Sequence, residues 1–334
     1  MKKLFVLVLC LAALSGLVFA EGQGEYPERD ITNILVWGAG GGTDTCNRVV
    51  MAEMAKELGV NINVVNKPGG VAGSVGMSDA FSKEDDGYTI CGLSESCVTS
   101  AVMGGFPERM NVWDFFIIGG SPDIVSVTPD APYNTIEELI SAAKANPGSI
   151  RAGASGAGSI HHLNLLALMN GTGAKFNYIP YDGSAPAQNA AMTGEISVVV
   201  TSAAEQAQLI RGGKLKPLGM LVPDDFTLAG KTIPTAFTAF PSLSEYLPIS
   251  QAIGFAIKKT ADESIKIKLR NAFTVAMNSD AVINFGKENF YILSGAYGEK
   301  ANKVFDNLES NFGWTLKELG AAKVDPASLG IEKL

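Results

Sequence analysis

The chain has 334 residues and a formal net charge of −8 at pH 7, and it contains no cluster of basic residues. These features exclude nucleic acid and anionic membrane surfaces as principal partners. The two histidines, His161 and His162, are adjacent, so on a helix they project in different directions and cannot form an ordinary metal site. No G-x-S-x-G nucleophile motif is present. We therefore expect neither an enzyme nor a bound cofactor.

The N-terminal segment is typical of a secretory signal. Lys2 and Lys3 precede an apolar run that ends in small residues at Ala20, which is the usual order of charge, apolar core and cleavage site. The run is short for a membrane anchor. We expect residues 1–20 to be a signal peptide and the mature chain to be periplasmic or otherwise extracytoplasmic. Cys10 lies too early for a typical lipoprotein cysteine, although lipid attachment stays open.

Three cysteines would remain in the mature chain, namely Cys46, Cys91 and Cys97. An odd number cannot form a complete disulfide framework, and no C-x-x-C spacing indicates a zinc site. A disulfide between Cys91 and Cys97 and a set of buried free thiols are both compatible with the sequence.

A glycine loop follows the first strand of the mature chain. Residues 31–48 (ITNILVWGAGGGTDTCNR) predict a strand, a loop of small residues and a helix start, which together can bind an anion through backbone N–H groups. Thr43 and Asp44 follow the glycines, so the phosphate-binding lysine of a P-loop is missing, and the glycine spacing does not fit a dinucleotide loop. This favours a carboxylate. A plain tight turn is the alternative, and Asp44 is spaced to pair with Arg48 on the helix.

Downstream, the chain repeats the order strand, small-residue loop, helix, which predicts a parallel α/β sheet. The predicted strands cover residues 62–66, 88–93, 150–154, 176–180 and 196–201. Ligands of such sheets bind beyond the carboxyl ends of the strands. The loops there supply neutral donors, including the hydroxyl groups of Ser94, Ser155, Ser159, Tyr181 and Thr201. We predict that these donors hold an anion reversibly, with ordinary helix capping as the alternative for each loop taken separately.

Two extended apolar segments, residues 124–128 and 252–257, are predicted to cross between two domains. A chain that enters a second domain once and returns once forms a hinged clamp, with the ligand between its lobes. We assign residues 26–126 and 252–334 to lobe I and residues 127–251 to lobe II. The tail from 262 to 318 has helical periodicity and is expected to pack on lobe I.

Motifs spread over residues 26–194 are similar to those of Bug-family solute-binding proteins, the extracytoplasmic receptors of tripartite tricarboxylate transporters. The matching motifs are YP at 26–27, GGGTD at 40–44, NKPGG at 66–70, DGYT at 86–89, GAGSIHHL at 156–163 and PYDGSAP at 180–186. The resemblance implies a type II periplasmic-binding-protein fold, in which two α/β lobes are joined by two crossover strands with a ligand cleft between them.

The resemblance also implies which residues bind the ligand, through backbone amides and hydroxyl groups from both lobes. In lobe I these residues are Ala39, Gly40, Gly41, Thr43 and Asp44. In lobe II they are Ser155, Gly158, Ser159, His162, Tyr181, Asp182, Gly183 and Ala185. To these we add Ser94, Glu95 and Thr201, which follow strands that end in the expected cleft.

Two positions depart from the family pattern, and the orientation of Glu95 is open. The chain runs from Val36 directly into Trp37, where the family commonly has a proline, and it has Asp182 where the family often has a basic lysine. Glu95 has two interpretations, since it could meet the ammonium group of an amino acid or face solvent, and we prefer the second.

We therefore predict a receptor that captures a small organic acid and delivers it to the membrane subunits of a tripartite tricarboxylate-type transporter. The acid could be a di- or tricarboxylate, an aromatic acid or an amino acid, and the receptor is expected to be a monomer. An extracytoplasmic ligand sensor for a signalling partner would use the same clamp. An enzyme in which His161 or His162 acts on Ser159 is the third hypothesis, which lacks a second base, a metal set and a nucleophile motif.

Overall fold

The computed structural model describes residues 26–228, 230–247, 251–318 and 320–334, so the predicted signal peptide lies outside the described residues. The chain forms two α/β lobes, each built on its own mixed sheet. Within the described part of the chain, no helix is both long and apolar enough to span a membrane.

Strands occur in both lobes along the described chain. They are β1 (Ile31–Leu35), β2 (Ile62–Asn66), β3 (Thr89–Ser94), β4 (Trp113–Gly120), β5 (Asp123–Val127), β6 (Arg151–Ala154), β7 (Asn177–Pro180), β8 (Val198–Ser202), β9 (Lys216–Met220), β10 (Phe226–Leu228), β11 (Lys231–Ile233), β12 (Ile253–Lys258) and β13 (Ile292–Tyr297).

The helices alternate with these strands. They are α1 (Gly42–Leu58), α2 (Ser74–Phe81), α3 (Ile136–Ala145), α4 (Ile160–Thr172), α5 (Ser184–Met192), α6 (Ala203–Arg211), α7 (Ala236–Ala239), α8 (Glu263–Met277), α9 (Asp280–Asn289) and α10 (Gly298–Glu318). A short 3-10 turn, Glu95–Thr99, follows β3 directly.

Both sheets are mixed, so the prediction of a parallel sheet is confirmed for only part of each sheet. Lobe I has the strand order β13-β4-β12-β3-β1-β2, and lobe II has the order β7-β6-β8-β5-β9. Strand β1 is parallel to β2 and β3, and β6 is parallel to β7 and β8. The antiparallel members are β12 and β13 in lobe I and β5 in lobe II. The sequence pattern identifies helix crossovers, which make parallel neighbours, but it does not fix the direction of strands next to a passage between lobes.

The passage between lobes does not lie where the apolar segments predict it. Strand β4 ends at Gly120 in the first sheet and β5 begins at Asp123 in the second, so the first change of sheet falls at residues 121–122. The segments 124–128 and 252–257 fall largely within β5 and β12, which have a strand on each side. Their apolar character reflects burial inside the sheets. The predicted boundary between residues 126 and 127 therefore cuts β5.

Aromatic residues on β4 show how helices cover both faces of the lobe I sheet. Phe115 stacks on Phe305 of α10, with ring centroids 3.8 Å apart. Its neighbour Phe116 stacks on Phe255 of β12 at 4.5 Å and meets the edge of Phe273 of α8. Successive strand residues point to opposite faces. The C-terminal helices therefore pack on lobe I, as the tail periodicity predicts.

The three described cysteines, Cys46, Cys91 and Cys97, are free and buried. The disulfide that the sequence left open is therefore not formed. Burial raises the pKa of the Cys91 and Cys97 thiols, which keeps both groups in the neutral form.

Candidate functional site

The glycine loop after β1 is held in shape by one buried carboxylate. Asp44 accepts hydrogen bonds from the backbone N–H of Gly40 at 2.9 Å and from the Asn66 side chain at 2.8 Å. It also pairs with Arg48 four residues further along α1. Gly40 has a φ of +82°, which favours glycine. The Asp44 side chain thus fixes the loop, and the N–H of Gly40 already has a partner within the protein.

Loops of the two lobes contact one another directly. The Gly38 N–H donates to the Asp182 carbonyl oxygen at 2.8 Å, and the Thr99 hydroxyl donates to the Gly158 carbonyl oxygen at 2.7 Å. The Ile160 N–H at the start of α4 donates to the Ser96 hydroxyl at 2.8 Å. The two lobes are therefore joined by direct hydrogen bonds in this structure.

A small cavity lies between the lobes, at the carboxyl ends of β1, β3, β6, β7 and β8. Its interior volume is about 20 Å³, which is room for about one water molecule. The glycine loop lines it with Trp37, Gly41, Gly42 and Thr43, and the end of β3 adds Ser94, Glu95 and Ser96. Lobe II contributes Ser155, His161, Gly183, Ser184 and Glu205, and Gln251 is added from the segment just before β12.

One contact across the cavity is not apparent from the sequence. Glu205 of α6 accepts a hydrogen bond from the Gly42 N–H, the first residue of α1 in the other lobe, at 2.7 Å. A Cβ atom on Gly42 would lie 2.8 Å from the same carboxylate oxygen, so any larger residue here would force the Glu205 carboxylate away from this N–H. The positive end of the α1 dipole is thus occupied by a carboxylate of the protein itself.

Glu205 is held in this position by its own helix. Its second carboxylate oxygen accepts from the backbone N–H and the hydroxyl of Ser202, which completes a capping box at the start of α6. The same oxygen lies 3.4 Å from Nε2 of His161.

His161 links Glu205 to a second buried carboxylate. Its Nδ1 lies 2.9 and 2.8 Å from the two carboxylate oxygens of Asp123, and Asn164 donates to the same carboxylate at 2.7 Å. Burial alone would lower the pKa of His161, but the charges of Asp123 and Glu205 outweigh it and raise the pKa to about 9. His161 is therefore an imidazolium at neutral pH.

Glu95 is 1% exposed, so our preferred interpretation that it faces solvent is wrong. Its carboxylate accepts from the Ser96 hydroxyl at 2.8 Å and from the Ala252 N–H at 2.6 Å. Burial raises the pKa of Glu95, an effect opposed by these two hydrogen bonds and by the charge of His161. The turn after β3 bends the side chain inward, which strand periodicity alone does not reveal.

His162 and its neighbours hold the loop after β6 rather than line the cavity. Ser159 caps α4 through the His162 N–H, and His162 Nδ1 accepts from the Gly158 N–H at 3.1 Å. The ring stacks on Tyr178 at 4.1 Å. Burial lowers the pKa of His162 to about 4, so this ring is neutral at pH 7.

Four other predicted site residues lie outside the cavity lining. Ala39 and Asp182 are exposed, and Tyr181 donates to Glu195 near the surface at 2.8 Å. Thr201 is buried inside lobe II, where it accepts from Gln188 and Gln206.

Ala185 belongs to the contact between lobes, because its Cβ lies 3.5 Å from the place that a Cβ on Gly40 would occupy.

The structure therefore brings part of the predicted set together. The predicted residues that line the cavity are Gly41, Thr43, Ser94, Glu95, Ser155 and Gly183. The lining residues that the prediction lacks are Trp37, Gly42, Ser96, His161, Ser184, Glu205 and Gln251. For Glu205 the S-x-x-E capping box was readable in the sequence, but it does not reveal that the carboxylate reaches the other lobe.

The cavity lining consists mainly of small and polar residues. Hydroxyl groups and backbone N–H groups are its neutral donors, Glu95 and Glu205 are its carboxylates, and none of the described lining residues is Lys or Arg. In the described parts of the chain, no group of three or more His, Cys, Asp or Glu is arranged to hold a metal ion.

Comparisons with known proteins agree with this architecture. A sequence profile described as tripartite tricarboxylate transporter family receptor matches residues 46–299. Protein BugT of Bordetella pertussis is 29% identical over 294 residues, covering 85% of this chain and 87% of BugT. A solved structure of a periplasmic transporter is 27% identical, with a TM-score of 0.78, and covers 88% of this chain and 97% of that one. MatC from Rhodopseudomonas palustris with bound malate is 20% identical, with a TM-score of 0.80, and covers 87% of this chain and 100% of MatC.

Proposed function

Because the chain belongs to the family of tripartite tricarboxylate transporter receptors, we propose that it captures a small carboxylate-bearing molecule outside the cytoplasm. It then delivers this molecule to the membrane subunits of a tripartite tricarboxylate-type transporter. The observation that carries the proposal is the interlobe cavity, which loops from both lobes line with neutral hydrogen-bond donors. The malate in the structure of MatC supports a carboxylate as the ligand class.

The ligand carboxylate is held by donors from both lobes. In lobe I these are the N–H of Gly41 and the hydroxyl of Thr43. In lobe II they are the hydroxyls of Ser155 and Ser184, whose oxygens lie 3.3 Å apart. Neutral donors orient an anion without a fixed counter-charge, which suits reversible capture and release.

Binding requires the lobes to move apart and close again. The cavity has room for about one water molecule, so a ligand with a carbon skeleton enters only when the clamp opens. The two passages between the lobes, at residues 121–122 and near residue 251, are the hinge. A ligand that contacts both lobes stabilises the closed form by a population shift.

Thermal-shift screening tests the ligand class. Di- and tricarboxylates, aromatic acids and amino acids form the panel, with the corresponding amides and neutral sugars as controls. We expect at least one acid to raise the melting temperature, since a ligand at a hundred times its Kd stabilises by about 2.7 kcal/mol, whereas its amide should not. Stabilisation by a sugar alone, with no response to any acid, would contradict the proposal.

Uptake measurements test the delivery step. Cells that lack this chain should lose uptake of the radiolabelled acid identified in the screen, and the wild-type chain should restore it. Unchanged uptake together with an altered transcriptional response to the acid would instead support a ligand sensor.

A further inference from the structure

We propose that the ligand carries an ammonium group beside its carboxylate, and that Glu95 and Glu205 bind this group. The inference rests on the proposed function and names the ligand class of the same cavity. It separates this chain from a receptor for simple di- or tricarboxylates.

The charge of the cavity is the first reason. Two carboxylates, Glu95 and Glu205, line it, and the only cation among the described lining residues is the imidazolium of His161. That cation is already engaged by Asp123 at 2.8 Å behind the cavity wall. The group of four therefore has an excess of acidic side chains, and an added carboxylate without a cation would be repelled at short range.

The position of Glu205 is the second reason. The N-terminus of α1 is the place where a helix dipole favours an anion, and Glu205 occupies it through the Gly42 N–H at 2.7 Å. A ligand carboxylate at that corner would have to displace a carboxylate that Ser202 and His161 hold from behind. The Gly42 N–H and Ser202 occupy three of the about four lone-pair sites of Glu205. A cationic group can bind the remaining site, on the oxygen that accepts from Gly42, without breaking this contact.

The fixed orientation of the Glu95 carboxylate is the third reason to expect a cationic group. Its carboxylate is oriented by Ser96 and by the Ala252 N–H, so it does not need to reorganise to accept another donor. Each carboxylate has about four lone-pair sites, and two of those on Glu95 are used. The remaining sites are acceptors only, and an ammonium group supplies three donors.

Trp37 adds an aromatic side chain to the cavity lining. Its side chain lines the same cavity and is anchored to the Ser94 hydroxyl through the indole N–H at 3.2 Å. Indole is the aromatic group that attracts cations most strongly. Two carboxylates and an indole suit an ammonium group, while the hydroxyls of Ser155 and Ser184 are left for the ligand carboxylate.

Matched ligand pairs test the inference by isothermal titration calorimetry. Each pair differs only at the amino group: succinate and L-aspartate, glutarate and L-glutamate, propionate and L-alanine, 3-phenylpropionate and L-phenylalanine. We expect the tightest ligand to be an amino acid that binds about tenfold or more tightly than its partner without the amino group. An acid without an amino group that binds as tightly as the best amino acid would overturn the inference and leave the proposed function intact. Binding by neither series would overturn both.

Variants assign the effect to the two side chains. Glu95→Gln and Glu205→Gln keep the shape of the side chain and should each reduce the preference for the amino acid at least severalfold. Glu245→Gln, at an exposed position outside the cavity, is the matched control and should leave the preference unchanged. Circular dichroism verifies folding of each variant.

A second measurement needs no variant. Ligand released from the wild-type protein is treated with an amine-acylating reagent and weighed by mass spectrometry. A mass increase of one acyl group supports the inference, and a released acid that does not react contradicts it.

Discussion

Replacing Gly42 by alanine should weaken ligand binding because the new methyl group occupies the space between the lobes. Its Cβ would lie 2.8 Å from a carboxylate oxygen of Glu205 and 2.8 Å from the hydroxyl of Tyr291. The first contact crosses between lobes and exists only in the closed form. The backbone of Gly42 has no positive φ, and alanine is the better helix former by about 1 kcal/mol. The expected loss therefore comes from the contact and not from the helix.

The expected increase in Kd follows from the hydrogen bond between the Gly42 N–H and Glu205. Separating Glu205 from the Gly42 N–H removes a hydrogen bond to a charged acceptor, which contributes about 1.5–3 kcal/mol. This corresponds to a roughly 10- to 150-fold increase in Kd. Because Tyr291 belongs to lobe I, its contact lowers the stability of open and closed forms alike. Combining Gly42→Ala with Tyr291→Phe removes that second contact and isolates the effect on closure.

A glycine outside the cavity supplies the control. Gly212 follows α6 and is exposed, and a Cβ on it would lie 3.3 Å from the Gln208 carbonyl oxygen and 3.8 Å from the Lys214 side chain, with no contact to lobe I. Gly212→Ala should change the Kd less than about threefold. Calorimetry with the tightest ligand of the panel measures both variants, and circular dichroism verifies their folding. Wild-type affinity in Gly42→Ala, or an equal loss in both variants, would refute the reasoning.

Three further predictions concern charge, thiols and the cavity boundary. The folded-state pKa of His161 is about 9, above its ordinary value of about 6.5, so its stabilising charge is fully present below pH 6.5 and is lost as the pH rises to 9. In urea unfolding, the free energy of unfolding should fall by up to about 3 kcal/mol over this range, and this fall should be absent in His161→Gln. An identical fall in the variant would contradict the prediction. Cys46, Cys91 and Cys97 are buried, so iodoacetamide should modify them only after unfolding, as mass spectrometry would detect; rapid modification of the native protein would be inconsistent with the fold. Tyr181→Phe should leave the Kd unchanged within about twofold in calorimetry, because the hydroxyl bonds to Glu195 outside the cavity; a tenfold loss would place Tyr181 in the site.

Local sequence signals predicted the local structure well. The strand, glycine loop and helix at residues 31–58 and the pairing of Asp44 with Arg48 depend on neighbours within a few residues. The antiparallel strands were not predicted, because the pairing of β4 with β12 joins parts of the chain that no local pattern connects.

Local sequence patterns also fail to predict which single side chains line the candidate site. His161 and His162 are adjacent in the sequence, yet one lines the cavity and the other stacks on Tyr178 within lobe II. Glu205 completes the capping box of α6 with one oxygen, but its other oxygen reaches α1 of the opposite lobe. Periodicity does not determine which side chains face the opposite lobe, since that depends on how the lobes meet.

A crystal structure of the complex with the tightest ligand of the panel tests the proposed binding mode most directly. We expect the ligand in the interlobe cavity, with its carboxylate bonded to the loop at Gly41 and Thr43 and to the hydroxyls of Ser155 and Ser184. A ligand that binds outside this cavity, or that contacts only one lobe, would contradict the carboxylate clamp.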